Sequence, residues 1–107
     1  MSLDVYLTEW RETEVYERNV THNLIPMADA AGIGDAIWRP EELGLVQAIE
    51  LIPFLEARLE RLLAEPDRYR QLNPPNGWGN YEGFCDFVAA YLEACRKNPG
   101  ARVRVSR

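Results

Sequence analysis

The chain has 107 residues, 47% of them hydrophobic and 27% charged, with a net charge of −5 at pH 7. That length and balance fit one globular domain, 1–107, with a real hydrophobic core, and argue against intrinsic disorder. The acidic charge argues against binding a nucleic-acid polymer, which wants a basic face, and no apolar run approaches the ~20 residues of a membrane span.

The elements follow from the periodicity. Residues 3–7 alternate as Leu-Asp-Val-Tyr-Leu, the period of a half-buried strand, and residues 14–20 alternate again. The charged stretch 8–13 reads as the loop of a hairpin, and it carries Trp10 among Glu9, Glu12 and Glu14. Thr21-His22-Asn23 ends the second strand and offers helix caps. Leu24, Met27, Ala28 and Ala31 then share one helical face, with Pro26 tolerated in the first turn and Gly32 and Gly34 as the stop. Residues 36–39 read as a connector. A helix over 45–64 follows, its apolar face comprising Ala48, Ile49, Ile52, Leu55, Leu59, Leu62 and Leu63, with a kink or restart expected at Pro53.

A short helical turn is expected over 65–72. Pro74-Pro75 and Asn76-Gly77 exclude helix from residues 73–79. Asn80 then caps a long helix that buries Tyr81, Phe84, Cys85, Val88, Tyr91, Leu92 and Cys95 and stops at Asn98-Pro99-Gly100. Residues 102–105 alternate as a last strand, pairing beside the first or second. The fold class expected is α+β, in the order β-β-α-α-α-β. A small antiparallel sheet, two N-terminal strands plus a C-terminal strand, is covered on one face by about three helices.

The residue counts exclude several chemistries. One histidine, His22, and no CxxC or HExxH spacing argue against a metal site, and no cofactor fingerprint is present. Cys85 and Cys95 are ten apart on one helix, about 15 Å at 1.5 Å rise per residue. That is too far to bridge, so buried free thiols in a reducing cytoplasm are expected. The first residues lack a charged-then-apolar secretion leader, which also suits a cytoplasmic location. Serine occurs only as Ser2 and Ser106, which argues against a serine hydrolase.

Three junctions display polar and aromatic groups that a core does not need. At residues 76–81, two glycines flank Trp78 just before a helix start. The tryptophan offers a stacking face with Asn76 and Tyr81 beside it; the alternative is that Trp78 plugs the core while the glycines shape a turn. His22, with Asn23, is either a general base or ligand hydrogen-bonder, or a residue that caps and holds the fold. Arg39 beside Trp38 either pins an anion over an indole or pairs with Glu41 or Glu42 on the surface. Arg102, Arg104 and Arg107 form a local basic strip along the last strand.

Taken together, Thr-His-Asn-Leu at 21–24, Met27, Ala-Gly-Ile at 31–33, Trp-Arg-Pro-Glu-Glu at 38–42, Asn-Pro-Pro-Asn-Gly-Trp-Gly-Asn-Tyr-Glu at 73–82 and the Val-Ser-Arg ending resemble a family of short uncharacterised bacterial and phage proteins. The resemblance spans nearly the whole chain. It implies a source and a compartment, and no activity.

The reading that follows is a binding module in which His22, Asn23, Trp38, Arg39, Asn76, Trp78 and Tyr81 line one cleft for a small planar or anionic ligand, nucleotide-like in character. Two other readings stay open. One is an enzyme with His22 as base and Arg39 as charge stabiliser. The other is a homodimer or interaction module anchored by Trp10, Trp38 and Trp78.

Overall fold

The computed structural model describes residues 1–9 and 13–107. Trp10 and Glu12 of the acidic hairpin segment lie outside the described residues. Strands β1 (Ser2–Glu9), β2 (Thr13–Thr21) and β3 (Arg102–Ser106) form one antiparallel sheet in the order β2-β1-β3. The class is therefore α+β, and β1 is the centre. Its alternation sends Leu3, Val5 and Leu7, each 0% exposed, to the helix-covered face. Val20, Val103 and Val105 sit opposite them in register and extend that apolar face. Asp4 and Tyr6 take the other face.

The register slips once. Leu7 faces Tyr16 and Thr8 faces Glu14, so Val15 is an extra residue in β2. In a regular strand Glu14 and Glu17 would point to opposite faces. The bulge brings them within a side-chain hydrogen bond of each other, and that contact, reinforced by their mutual repulsion, holds the Glu17 carboxyl above its ordinary range.

Among the described residues five helices stand where the sequence predicts about three. A 3-10 turn, His22–Leu24, leads into α1 (Ile25–Ala30), followed by α2 (Gly34–Trp38), a second 3-10 turn (Pro40–Leu43), α3 (Ala48–Ala64), α4 (Pro66–Arg70) and α5 (Tyr81–Lys97). The segment 36–39, expected as a connector, belongs mostly to α2. Gly32 ends α1 with φ +78, but Gly34 is the first residue of the next helix. A Cβ at Gly34 would lie 2.0 Å from Asp29 Oδ1, so this glycine lets two short helices fold closely together instead of stopping one.

Helix α3 begins at Ala48, three residues later than the apolar run suggests. Residues 46 and 47 are extended against β3 instead, through Val103 N–H to Val46 O at 2.8 Å and a bridge from Gln47 to Arg102. Gln47 and Glu50 then form a reciprocal capping box. The helix runs through Pro53 without restarting. Its buried stripe is Ala48, Leu51, Leu55 and Leu62, which leaves Ile49 and Leu63, both expected inside, 54% and 58% exposed.

Helix α5 matches its pattern closely. Asn80 Oδ1 accepts from Gly83 N–H at 2.7 Å, and all seven residues expected in its stripe are buried. Tyr91 stacks on Tyr16 of the sheet with ring centroids 5.9 Å apart, which places α5 beneath β2. Arg96 pairs with Glu56 of α3 at 2.6 Å, and Tyr81 Oη donates to Leu62 O at 2.7 Å, tying α5 to α3 at both ends. Cys85 and Cys95 are free and buried, and burial pushes the Cys95 thiol up to about 12. No helix among the described residues is long and apolar enough to cross a membrane.

The chain end is clasped. Arg107 donates to the Trp38 carbonyl at 2.8 Å and pairs with Glu41, so it does not extend the basic strip of Arg102 and Arg104. The guanidinium hydrogen bond holds the Glu41 carboxyl below its usual range. A depressed folded-state pKa adds stability above the unfolded value, and that stability is lost as pH falls through the folded one. Glu41→Gln is therefore expected to lower Tm by about 2–4 °C at pH 7, the scale of a half-exposed pair. The difference from the parent should close as the pH drops below about 4, which thermal melts at stepped pH will read.

Candidate functional site

The loop between α4 and α5 is shaped by its own side chains. Asn73 Oδ1 accepts from Tyr81 N–H at 2.8 Å, Gly77 N–H closes a turn onto Pro74 O at 3.2 Å, and Asn76 Oδ1 accepts from Trp78 N–H at 3.0 Å. Arg70 anchors the start of α5 from α4, bonding Glu82 at 2.7 Å and lying 5.1 Å over the Tyr81 ring. This pair holds the Glu82 carboxyl below its usual range.

Gly79 places the loop against the rest of the molecule. It has φ +90, and a Cβ there would lie 2.8 Å from Thr21 Cγ2 and 3.0 Å from Leu24 Cδ1. The backbone at 79 therefore rests directly on the end of β2 and the turn after it. That contact carries Asn76 and Trp78 alongside the first residues of β1 and the last of β2. Between them lies a cleft of about 480 Å³ lined by Met1, Ser2, Asn19, Thr21, Asn23, Asn76 and Trp78.

The lining residues have neutral side chains and are largely polar. Asn19 Nδ2 donates to Ser2 Oγ and to Asp4 Oδ1, each at 2.8 Å. Thr21 Oγ1 accepts from Asn23 N–H at 3.3 Å and from Asn23 Nδ2 at 3.1 Å. Trp78 stands at this cleft 68% exposed. An indole so open contributes little to the core and presents its face to whatever enters.

The seven residues expected in one cleft are divided. Asn23, Asn76 and Trp78 meet in the large cleft. Trp38 and Arg39 line a separate, smaller one of about 170 Å³ with Ile25, Asp29, Gly34 and Asp35. Trp38 is 5% exposed, and Arg39 pairs with Glu42 at 3.2 Å, the surface pairing that was its alternative reading. His22 packs edge-on against Trp38 with centroids 6.3 Å apart, and its backbone N–H donates to Met1 O at 3.1 Å. His22 Nε2 and Trp38 Nε1 are both buried without a hydrogen-bond partner among the described residues. Tyr81 is in the core, its hydroxyl spent on Leu62 O and pushed up to about 12 by burial, then by its hydrogen bond with Cys85. Its ring is not available for stacking.

Sequence reasoning missed Ser2, Asn19 and Thr21 as lining residues. A signal was present: Ser2 faces Thr21 and Asp4 faces Asn19 in the hairpin register, so one alternation put all four on the outer face. A third cleft of about 330 Å³, lined by Tyr6, Thr8, Glu14, Arg104, Val105 and Ser106, also borders the sheet. Among the described residues no group of three or more His, Cys, Asp or Glu is placed to hold a metal ion. The chain matches no family model, no curated protein and no solved structure.

The two loop glycines separate backbone strain from steric contact. Gly77 has φ +78 and open space around a would-be Cβ, whereas Gly79 has a similar φ and no space. Gly77→Ala is expected to destabilise by about 1 kcal/mol from strain alone. Gly79→Ala should destabilise by about 3 kcal/mol, strain plus overpacking. Urea unfolding of both variants checks the difference.

Proposed function

We propose that this chain is a small-ligand-binding module that holds a flat, polar molecule against Trp78. The observation that carries the reading is an indole left 68% exposed at a cleft whose other polar side chains are amides and hydroxyls. A planar ring would stack on the indole, an interaction worth about 1–3 kcal/mol for a nucleobase-sized surface. Asn19, Thr21, Asn23 and Asn76 would read the ring's edge by hydrogen bonds. The lining side chains carry no charge.

Trp38, His22 and Tyr81 act in this reading as the frame, while Arg39 stays in its surface pair with Glu42. Tyr81 fixes α5 on α3, and Trp38 joins His22 to the Arg107 clasp. They hold the two walls of the cleft without touching the ligand.

The test is a panel of planar compounds, from indole and benzamide to nucleosides, scored by the backbone amide shifts of Asn19, Asn23 and Asn76, which parent and variant share. Trp78→Ala is expected to weaken every binder by about 5- to 100-fold with Tm within about 2 °C of the parent, because so exposed a ring supports little packing. Trp38→Ala, by contrast, should destabilise the fold by about 3–5 kcal/mol. Undiminished affinity in Trp78→Ala would exclude the stacking role. A concentration-dependent dimer that shields Trp78 in sedimentation would move the reading to an interaction module.

A further inference from the structure

We infer that Asn76 is a site of spontaneous covalent modification. Its side-chain amide cyclises onto the Gly77 nitrogen, releases ammonia and turns residue 76 into aspartyl and isoaspartyl forms. Water is the co-reactant, and the step acts on the loop that displays Trp78.

The chain holds six asparagines, and five are withdrawn from this chemistry. Asn73 and Asn98 precede proline, which has no N–H to lose. Asn19 precedes Val20, a buried strand residue, and its amide is held by Ser2 Oγ and Asp4 Oδ1 at 2.8 Å each. Asn23 turns its amide back onto Thr21 Oγ1 at 3.1 Å, and the residue after it, Leu24, is buried. Asn80 caps α5 through Gly83 N–H, and the nitrogen it would attack through, that of Tyr81, donates to Asn73 Oδ1 at 2.8 Å.

Asn76 differs at each of these points. It precedes a glycine, and both residues are exposed. Chain neighbours aside, no atom lies within 4 Å of where a Gly77 Cβ would stand, so the ring has room to close. The Gly77 N–H is held by Pro74 O at 3.2 Å, the long end of the range for such bonds. Asn76 Oδ1 accepts from Trp78 N–H at 3.0 Å, so the side chain reaches forward across Gly77. That donor sits where negative charge develops when a nitrogen adds to Cγ, as in an oxyanion hole.

The Gly77 nitrogen gives its proton to solvent base and bonds to Asn76 Cγ. The Cγ–Nδ2 bond breaks, and Nδ2 leaves as ammonia. Water then opens the imide ring at either carbonyl. Opening at Cγ restores the main chain with an aspartate at position 76. Opening at the other carbonyl routes the main chain through Cβ and Cγ, a linkage longer by a methylene. Both products put a carboxylate beside a cleft whose lining side chains are neutral. The isoaspartyl form also breaks the turn from Pro74 to Gly77 that presents Trp78. The consequence for a ligand rests on the binding reading above; the modification does not.

The experiment ages the full chain at body temperature and mildly alkaline pH. Mass spectrometry of its peptides locates each exchange of NH₂ for OH, and a protein isoaspartyl methyltransferase labels the isoaspartyl groups. Exchange and label are expected at residue 76 ahead of every other asparagine, and faster as pH rises, because a proton must leave the Gly77 nitrogen. Gly77→Ala should slow the conversion by about 10-fold or more, a barrier change of about 1.4 kcal/mol, as a Cβ crowds the closing ring. Asn76→Gln, whose side chain must close a larger ring, should lose the label at this position. The separated isoaspartyl chain should bind the planar probes about 5- to 100-fold more weakly than fresh chain, the range for a lost stack. A folded chain that stays intact while chemically unfolded chain converts overturns the proposal, as does equal conversion at another asparagine. Conversion with unchanged probe affinity overturns the effect on the cleft and leaves the modification standing. If no planar probe binds fresh chain, the binding reading fails while a labelled residue 76 still upholds the modification.

Discussion

The structure depends on the need to bury one face of β1. This strand is hydrogen-bonded along both edges, and Leu3, Val5 and Leu7 are fully enclosed, each side chain contributing about 1.5–3 kcal/mol by leaving water. Everything else is arranged around that requirement. β2 and β3 complete the sheet, α5 covers it through the Tyr91–Tyr16 stack, and α3 packs on α5. With helices on one face of the sheet only, the period-2 alternation of β1 leaves its other face to solvent. The alternation that encloses Leu3 and Val5 also presents Ser2 and Asp4, so the core and the cleft floor are two sides of one strand.

The second wall of the cleft is a consequence of helix placement. α5 starts where it does because Asn80 caps it, Arg70 ties its first turn to α4, and Tyr81 locks onto α3. The loop that precedes it is left with one route, past the end of β2, and only a residue without a Cβ fits that route at position 79. The outer strand β2 is one edge of the sheet. Its exposed residues include Glu14, Glu17 and Arg18, and its bulge at Val15 breaks the regular ladder, both devices that discourage edge-to-edge pairing.

Much of the architecture was legible in the chain. The strand alternation, the α5 stripe, the Asn80 cap and the non-helical loop at 73–79 all follow from patterns a few residues long. Elsewhere the local signal competed with tertiary contacts and lost. The apolar run from Leu45 reads as helix, yet its first residues pair with β3, a partner more than fifty residues away that satisfies their backbone groups as well as a helical turn would. Gly34 reads as a helix stop, yet it is the first residue of α2 and packs against the Asp29 side chain of α1.

The candidate site divides in the same way. Sequence alone determined which segments carry groups the core does not require, and it singled out Trp78 and its glycines because turn chemistry is local. It also set the outer face of the hairpin, since period 2 is a property of neighbours. Only the tertiary structure decided which of those groups share a cleft. Tyr81 and Trp38 went into the core, Arg39 to a surface pair, and Asn19 and Thr21 joined Asn76 and Trp78. That sorting depends on how segments far apart in the chain pack, and at the cleft the close contact of Gly79 with Thr21 and Leu24 brings the loop to the strand end.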